Sequence, residues 1–160
     1  MMMLLAETVF WGVFASIVFT TLLAASQGFG FTRMNIPYLL GTMFTPDRDR
    51  AKIYGVLLHI AIGVVFSLLY LFAFHAWHGA TWWKGLIFGA AQGAFFLTFG
   101  VTLLPGLHPR MASEHEGPTA VRQLEPPGFL GLNYGARTPV SIMLSHLVWG
   151  VTLGVTLPQA

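Results

Sequence analysis

Charged residues and cysteine are what this sequence has least of. Only 9% of its 160 residues are charged, against about 25% in an average soluble domain. It has no cysteine, which excludes disulfides, thiolate metal sites and cysteine nucleophiles. Hydrophobic residues make up 55% of the chain, and a soluble domain of this composition would expose large apolar patches. The composition therefore predicts an integral membrane protein, and the length predicts one domain, residues 1–160.

The sequence also lacks the motifs of common enzymes and of nucleic-acid-binding proteins. It contains no HExxH, GxSxG or P-loop motif and no carboxylate pair at membrane depth. Its basic residues are never dense enough to indicate a nucleic-acid partner. The residues His108, His115 and Glu116 have a spacing that matches no known metal site. We therefore expect a protein that is not an enzyme, with no catalytic residues and no metal site.

Four apolar segments are long enough to cross a bilayer, which takes about 20 residues in a helix. They cover about residues 8–27, 53–74, 82–104 and 139–157. These segments show little polar face, which argues against the core of a soluble helical protein. Glu7 precedes the first segment and no Lys or Arg does, so we expect a membrane helix there rather than a cleaved signal peptide. The predicted fold is all-α, a four-helix membrane bundle.

The basic residues predict the orientation of this bundle. One side of the membrane receives the two long loops, which hold seven basic residues: Arg33, Arg48, Arg50, Lys52, Arg110, Arg122 and Arg137. The other side receives only Lys84. Because positively charged loops stay in the cytoplasm, both long loops are predicted to be cytoplasmic and both termini periplasmic.

Lipid contacts are predicted at both interfaces. The short outer loop and its flanks carry Trp77, Trp82 and Trp83, which fit an aromatic belt that anchors the protein in the membrane. On the cytoplasmic side, Arg33 and Arg110 follow the ends of membrane segments, and anionic lipid headgroups are their predicted partners.

The two halves of the chain contain the same short motifs in the same order. Each half has an Arg-Met pair, a Pro-x-x-Leu-Gly segment and a Thr-Pro pair, at 33–34, 37–41 and 45–46 in the first half and at 110–111, 127–131 and 138–139 in the second. His59 and His146 follow at matching places. We predict two tandem two-helix repeats, residues 8–74 and 82–157, related by an axis along the membrane normal. Chance matching in an apolar, glycine-rich chain is the alternative.

The cytoplasmic loops contain apolar stretches that are too short to span a membrane. Residues 34–44 carry no charge, and residues 127–134 are apolar and rich in glycine. Such lengths are typical of interfacial or re-entrant segments. The stretches either lie on the membrane surface or enter it halfway to line a cavity, where irregular backbone is tolerated.

His59 and His146 are the strongest candidates for a binding site. Each lies about seven residues into its helix, or about 10 Å deep, within a stripe of small residues at four-residue spacing. A buried histidine that bonds to a neighbouring helix is one interpretation. Two facing histidines are also what an axial haem pair requires, and another tetrapyrrole, a metal ion or proton transfer are further interpretations. Intramembrane ionisable residues are costly, which favours a functional role.

Gln92 is the third candidate for a cofactor-binding residue. It lies near the middle of the third segment, on the helix that carries the stripe Gly85, Gly89 and Gly93. This GxxxG pattern predicts tight helix packing. Gln92 then either bonds across that interface, for example to a histidine, or contacts a substrate.

Several segments resemble a known group of proteins. The run from Arg33-Met34 to residues 45–50, the segment Leu-Pro-Gly-Leu-His-Pro-Arg-Met at 104–111 and the helix that contains His146 are similar to those of small uncharacterised four-helix inner-membrane proteins of bacteria. The resemblance covers most of the chain. It implies a bacterial inner-membrane location and four spans, but no activity and no functional residue.

Two classes of function remain open. The glycine stripes and the lack of a catalytic constellation favour a non-catalytic module, either an accessory subunit of a membrane complex or a small cofactor- or tetrapyrrole-binding bundle. The duplicated hairpins and apolar loops favour a small oligomeric transporter or channel. The expected partners are the lipid bilayer and either other membrane subunits or further copies of the chain. A membrane enzyme is a third, less supported class.

Overall fold

Four long helical segments make up most of the structure, a computed structural model that describes residues 2–157. They are Met2–Gly28, Arg48–Ala76, Trp82–Leu107 and Thr138–Thr156, and each is long and apolar enough to cross a membrane. The prediction of four spans is therefore confirmed, and the chain has the architecture of a multi-pass membrane protein. The terminal residues Met1 and Ala160, whose sidedness was predicted, lie outside the described residues.

The first hairpin contains three helices, α1 (Met2–Gly28), α2 (Ile36–Thr42) and α3 (Arg48–Ala76). Helix α3 begins about a turn before its apolar segment because the Asp47 carboxylate accepts a hydrogen bond of 2.8 Å from the backbone N–H of Arg50. Helix α2 is the apolar stretch of the first loop. It starts at the Asn35 cap and packs so closely on α3 that a methyl group on Gly41 would overlap the Ala51 carbonyl oxygen.

The second hairpin contains α4 (Trp82–Phe95), α5 (Val101–Leu107) and α6 (Thr138–Thr156). A single π-helical segment, Phe96–Gly100, joins α4 to α5 within one membrane-spanning length. Such π-bulges are frequent at functional sites. The apolar stretch of the second loop forms a 3₁₀ segment, Phe129–Tyr134, and α6 then begins with Pro139 in its first turn.

The helices associate in the order α3, α1, α6, α4. Helix α1 packs on α3 and on α6, and α4 packs on α6. Helices α3 and α4 follow each other in the chain but are held apart by aromatic side chains, among which Tyr70 lies 5.6 Å and Phe74 5.4 Å from Phe88, measured between ring centroids. One flank of the bundle is therefore closed by helix packing, whereas the other contains space between α3 and α4.

Stripes of small residues form the close interface within each hairpin. Between α1 and α3, Gly12 faces Ser67 and Gly63 faces Ser16. Between α4 and α6, Gly85 faces both Gly150 and Gly154, and Gly89 faces Gly150 and the backbone of His146. Any side chain at these glycines would overlap the facing helix, so the predicted role of the stripes in close packing is confirmed.

Candidate functional site

The space between α3 and α4 is a cavity of about 180 Å³ that brings together all three predicted binding residues, His59, His146 and Gln92. The rest of its lining is mostly apolar or aromatic: Ser16, Phe19, Ile36, Leu40, Ile62, Gly63, Phe66, Phe95, Phe96 and Trp149. Phe95, at its rim, is 61% exposed and belongs to a membrane-spanning segment. The cavity therefore opens between the two hairpins, within the length of the helices that are apolar enough to cross a membrane.

In both histidines, the ring nitrogen that forms a hydrogen bond within the protein is Nδ1. In α6, His146 is 5% exposed and its Nδ1 lies 2.9 Å from the carbonyl oxygen of Ile142. In α3, the Nδ1 of His59 lies 2.9 Å from the hydroxyl of Thr20, which is on α1. Each ring is thus oriented by a bond on the side away from its Nε2. This arrangement is the one that orients histidine ligands in binding sites generally.

The Nε2 atoms of both histidines have no hydrogen-bond partner within residues 2–157. In that part of the chain, the only fully buried side-chain polar atom without a partner is the Thr81 hydroxyl. The two Nε2 atoms are therefore accessible rather than enclosed by packed side chains. The accessible space that both histidines line is the cavity. Two nitrogens are thus available to bind a molecule in that space.

Gln92 forms its hydrogen bond across the helix interface with a tyrosine and not with either histidine. Its Oε1 accepts a hydrogen bond of 2.9 Å from the hydroxyl of Tyr70, which lies on α3. This bond spans the gap between α3 and α4 and holds the amide at the edge of the cavity. The amide nitrogen has no partner in the described part of the chain, so Gln92 offers a donor beside the two histidines.

Phe19 lies against both histidines. The centroid of its ring is 5.2 Å from that of His59 and 4.8 Å from that of His146. The Phe96 ring, at the start of the π-helical segment, lies 5.8 Å from His146. The polar nitrogens are therefore set among aromatic faces, which suit a flat apolar group.

The arginines predicted to bind lipid headgroups have partners within the protein. Arg33 forms an exposed ion pair with Glu125, 3.1 Å between Nη1 and Oε2, and also donates to the carbonyl oxygen of Asn133. Arg110 donates to the carbonyl oxygens of Thr42 and Met43 at the end of α2. Lipid binding by either residue stays a prediction, to which these protein contacts add a structural role.

His108 has a structural role that the sequence did not predict. Its ring is fully buried, Nδ1 accepts a 3.1 Å hydrogen bond from the backbone N–H of Arg110, and Nε2 donates to the Leu39 carbonyl oxygen at 2.9 Å. Burial lowers the pKa of His108, and the nearby Arg110 charge lowers it further, against the opposing effect of the bond to Leu39. The ring therefore ties the second loop to α2 in its neutral form.

Tyr134, in the 3₁₀ segment, supports the Arg33 contacts. Its hydroxyl donates to the Glu125 carbonyl oxygen at 2.6 Å, and the Arg33 guanidinium lies 5.8 Å from its ring centroid. Burial, followed by the negative charge of Glu125, raises the pKa of Tyr134 to about 12. The phenol therefore stays protonated at physiological pH.

Lys84 is a second residue whose role sequence reasoning missed. Its side chain is buried, and its ammonium group donates to the carbonyl oxygens of Trp77 and Gly79 at the end of α3. The rings of Trp77 and Trp83 lie 5.6 Å from its Nζ. These two tryptophans therefore enclose a cation in addition to any contact with lipid. The signal available in the sequence was a lone Lys among tryptophans.

Compared with protein-family models, curated proteins and solved structures, the chain matches none of them. The geometry of its own residues therefore carries the functional argument.

Proposed function

We propose that this protein is a non-catalytic membrane bundle that binds a small lipid-soluble molecule in the cavity between its two hairpins. The observation that carries the proposal is the pair of ring nitrogens, Nε2 of His59 and Nε2 of His146, which are oriented from behind and left without a protein partner. Buried polar groups normally find partners. A mostly apolar cavity with a few converging polar groups is the usual form of a small-molecule site.

The size of the cavity favours a small group over a tetrapyrrole. Its volume of about 180 Å³ is close to that of an engineered protein cavity of about 150 Å³ that holds benzene. It lies below the range of about 300–1,000 Å³ in which drug-sized ligands are buried. The histidine pair therefore supports binding of one ring or an equivalent group, rather than axial ligation of a haem.

The position of the opening favours entry from the bilayer. The rim residue Phe95 is exposed on a membrane-spanning segment. A molecule dissolved in the lipid can therefore reach the histidines without crossing water. An apolar tail would remain in the lipid while the head occupies the cavity.

A one-ring probe tests this proposal. The protein is placed in lipid nanodiscs and dialysed to equilibrium with hexylbenzene against empty nanodiscs of the same lipid. We expect saturable binding of about one molecule per chain. Ile62→Trp should abolish it by filling the cavity, which Ile62 lines.

The matched control is Val65→Trp, on the same helix but at a position that is 57% exposed and outside the cavity lining. This variant should bind hexylbenzene as the wild type does. Binding that is absent in the wild type, or equal in Ile62→Trp and the wild type, would refute the proposal.

A small transporter is the second candidate, and one observation favours it. A further cavity of about 260 Å³ is lined by Thr20, Asn35 and Lys52 near the loop end of the bundle. Thr20 is the partner of His59, so this residue pair separates the two cavities. Transport would be supported if wild-type protein conducts protons into proteoliposomes and the Thr20→Val variant does not. If the wild type shows no proton flux, transport is refuted and only the binding function remains.

The proposed setting is the bacterial inner membrane, with the long loops cytoplasmic. The basic residues at this end of the bundle, in the loops and in the first turns of α3, support the orientation. The contacts within the two hairpins match, which supports the proposed tandem duplication. In the first hairpin, Thr20 lies against His59 and Ser16 lies against Gly63. In the second, Gly93 lies against His146 and Gly89 lies against Gly150.

A further inference from the structure

We infer that the molecule bound in the cavity carries an aromatic hydroxyl group, as in a membrane-soluble alkylphenol or hydroquinone. The inference rests on the proposed function and specifies the ligand class. It follows from the hydrogen positions on the two histidines, because these decide whether the site accepts or donates hydrogen bonds.

The hydrogen position on His146 is determined by its partner. The Ile142 carbonyl oxygen, 2.9 Å from Nδ1, can only accept a hydrogen bond. Nδ1 must therefore carry the hydrogen. In the neutral ring this leaves a lone pair on Nε2, which faces the cavity as an acceptor.

The hydrogen position on His59 follows from a chain of two bonds. The Thr20 hydroxyl lies 2.7 Å from the carbonyl oxygen of Ser16 and 2.9 Å from Nδ1 of His59. A hydroxyl has one hydrogen, and two oxygen atoms 2.7 Å apart repel each other unless that hydrogen lies between them, where the carbonyl oxygen can only accept it. The Thr20 oxygen must therefore accept from Nδ1 of His59, and Nε2 is again the acceptor.

The surroundings keep both rings neutral. No Asp or Glu lines the cavity, and within residues 2–157 neither histidine takes part in an ion pair. An isolated charge in such a cavity is costly because nothing compensates for its lost hydration. The site therefore presents two acceptor nitrogens, and it favours a ligand that donates.

The remaining features define the donor as aromatic. The cavity has the volume of one ring, and its walls include the aromatic residues Phe19, Phe66, Phe96 and Trp149. The Gln92 amide nitrogen is a donor at the edge, which suits the lone pairs of the same hydroxyl oxygen. An aromatic hydroxyl can donate its one hydrogen to either histidine nitrogen while its oxygen accepts from Gln92, whereas a quinone carbonyl or an ether satisfies only Gln92.

A matched pair of probes isolates the donated hydrogen. The protein in nanodiscs is dialysed with 4-hexylphenol or with its methyl ether, which have the same ring and tail but differ in the hydroxyl hydrogen. The phenol should bind about fivefold to tenfold more tightly, the affinity equivalent of about one net hydrogen bond. Empty nanodiscs correct for any difference in partitioning.

The variant His59→Asn/His146→Asn tests the assignment to the two histidines. The asparagine amide can replace Nδ1 as the donor to Thr20 and Ile142, but nothing replaces Nε2. The advantage of the phenol over the ether should disappear in this variant, and saturable binding of the ether, at whatever affinity the lost ring volume leaves, shows that the cavity has formed. If the variant fails to fold, the comparison of the two probes on the wild type still decides the inference.

The outcomes separate the inference from the proposed function. Equal binding of phenol and ether by the wild type refutes the inference while leaving a binding cavity. A phenol advantage that persists in the double variant, with ether binding intact, refutes the role of the histidines. If hexylbenzene, phenol and ether all fail to bind, the proposed function itself is wrong.

Discussion

Arg33 and Arg110 each donate hydrogen bonds to backbone carbonyl groups in the opposite half of the protein. The Arg33 guanidinium, from the loop of the first hairpin, donates to the Asn133 carbonyl oxygen in the 3₁₀ segment of the second. The Arg110 guanidinium, from the loop of the second hairpin, donates to the carbonyl oxygens of Thr42 and Met43 at the end of α2 in the first. Each arginine thus donates to carbonyl oxygens at the end of the short helical segment in the other half of the protein. Carbonyl groups at a helix end have no hydrogen-bond partner within the helix.

The methionines that follow these arginines extend the correspondence. Met34 and Met111 are both buried, at 1% and 0% exposure. The Met34 methyl group lies 3.1 Å from the position that a Cβ on Gly131 of the second hairpin would take. The reciprocal contacts of the two arginines fit two similar hairpins, although the packing of α1 on α6 has no counterpart of similar extent between α3 and α4. These contacts support the proposed duplication independently of the glycine stripes.

The two arginines should differ in their contribution to stability. Arg110→Ala removes charge-assisted hydrogen bonds to partly buried carbonyl groups, and we expect a loss of about 1–3 kcal/mol in the free energy of unfolding. Arg33→Ala removes an ion pair whose side chains are 66% and 45% exposed, so its loss should be smaller, about 0–1 kcal/mol. Unfolding by SDS in mixed micelles measures both.

Arg110→Lys is the matched control for that comparison. It keeps the charge but replaces the planar guanidinium, whose Nη1 donates to both carbonyl oxygens, with a more strongly hydrated ammonium. The free energy of unfolding of Arg110→Lys should lie between that of Arg110→Ala and that of the wild type. Equal losses for Arg33→Ala and Arg110→Ala would contradict the interpretation that burial of the carbonyl groups makes the difference.

Protonation of His108 should destabilise the protein on the acidic side. The pKa of His108 is lowered in the folded state, so the unfolded chain binds the additional proton first. Its contribution to stability is therefore complete above the unfolded pKa of about 6.5 and is lost progressively as the pH falls from there toward the folded pKa.

His108→Gln isolates this effect because its amide nitrogen can still donate to the Leu39 carbonyl but does not titrate. The difference in the free energy of unfolding between wild type and His108→Gln should shrink as the pH is lowered from 7.5 to about 5. His59 and His146 are present in both proteins, so their titration cancels to first order. A difference that is independent of pH would show that His108 does not titrate as described.

A single methyl group at the α4–α6 interface should disrupt packing within the second hairpin. A side chain on Gly150 would overlap the Gly85 carbonyl oxygen and approach the Gly89 Cα to 2.9 Å. Gly150→Ala should therefore cost about 1–3 kcal/mol, which is typical of overpacking. Gly106→Ala is the control because nothing lies within 4 Å of its added methyl group. That change should be neutral or stabilise by up to about 1 kcal/mol, and SDS unfolding compares the two.

Reporter fusions at the two ends of the chain should place both outside the cytoplasm. Seven basic residues lie in the two long loops or in the first turns of α3 beside them, whereas the one basic residue of the opposite side, Lys84, is 7% exposed and bonded to carbonyl groups of the α3–α4 turn. Lys84→Gln should therefore leave the orientation unchanged although it reduces stability. Cytoplasmic activity of a reporter at either end would refute the predicted topology.

The sequence by itself determined the four membrane helices and the three residues of the candidate site. Stretches of about 20 apolar residues can satisfy their backbone in lipid only as helices, so the spans were readable without any contact being known. His59 and His146 stood out because an ionisable group at membrane depth needs a partner. The glycine stripes indicated close packing, since residues four apart lie on one helix face.

Only the tertiary structure decided how those residues are used. The tautomers of the histidines depend on Thr20 and Ile142, and the partner of Gln92 proved to be Tyr70 rather than a histidine. The roles of His108, Arg110 and Lys84 depend on carbonyl groups whose positions are created by helix ends. Backbone carbonyls are the same at every position of a sequence, so a pattern of side chains cannot show which of them are left without an intrahelical partner or which side chain will reach them.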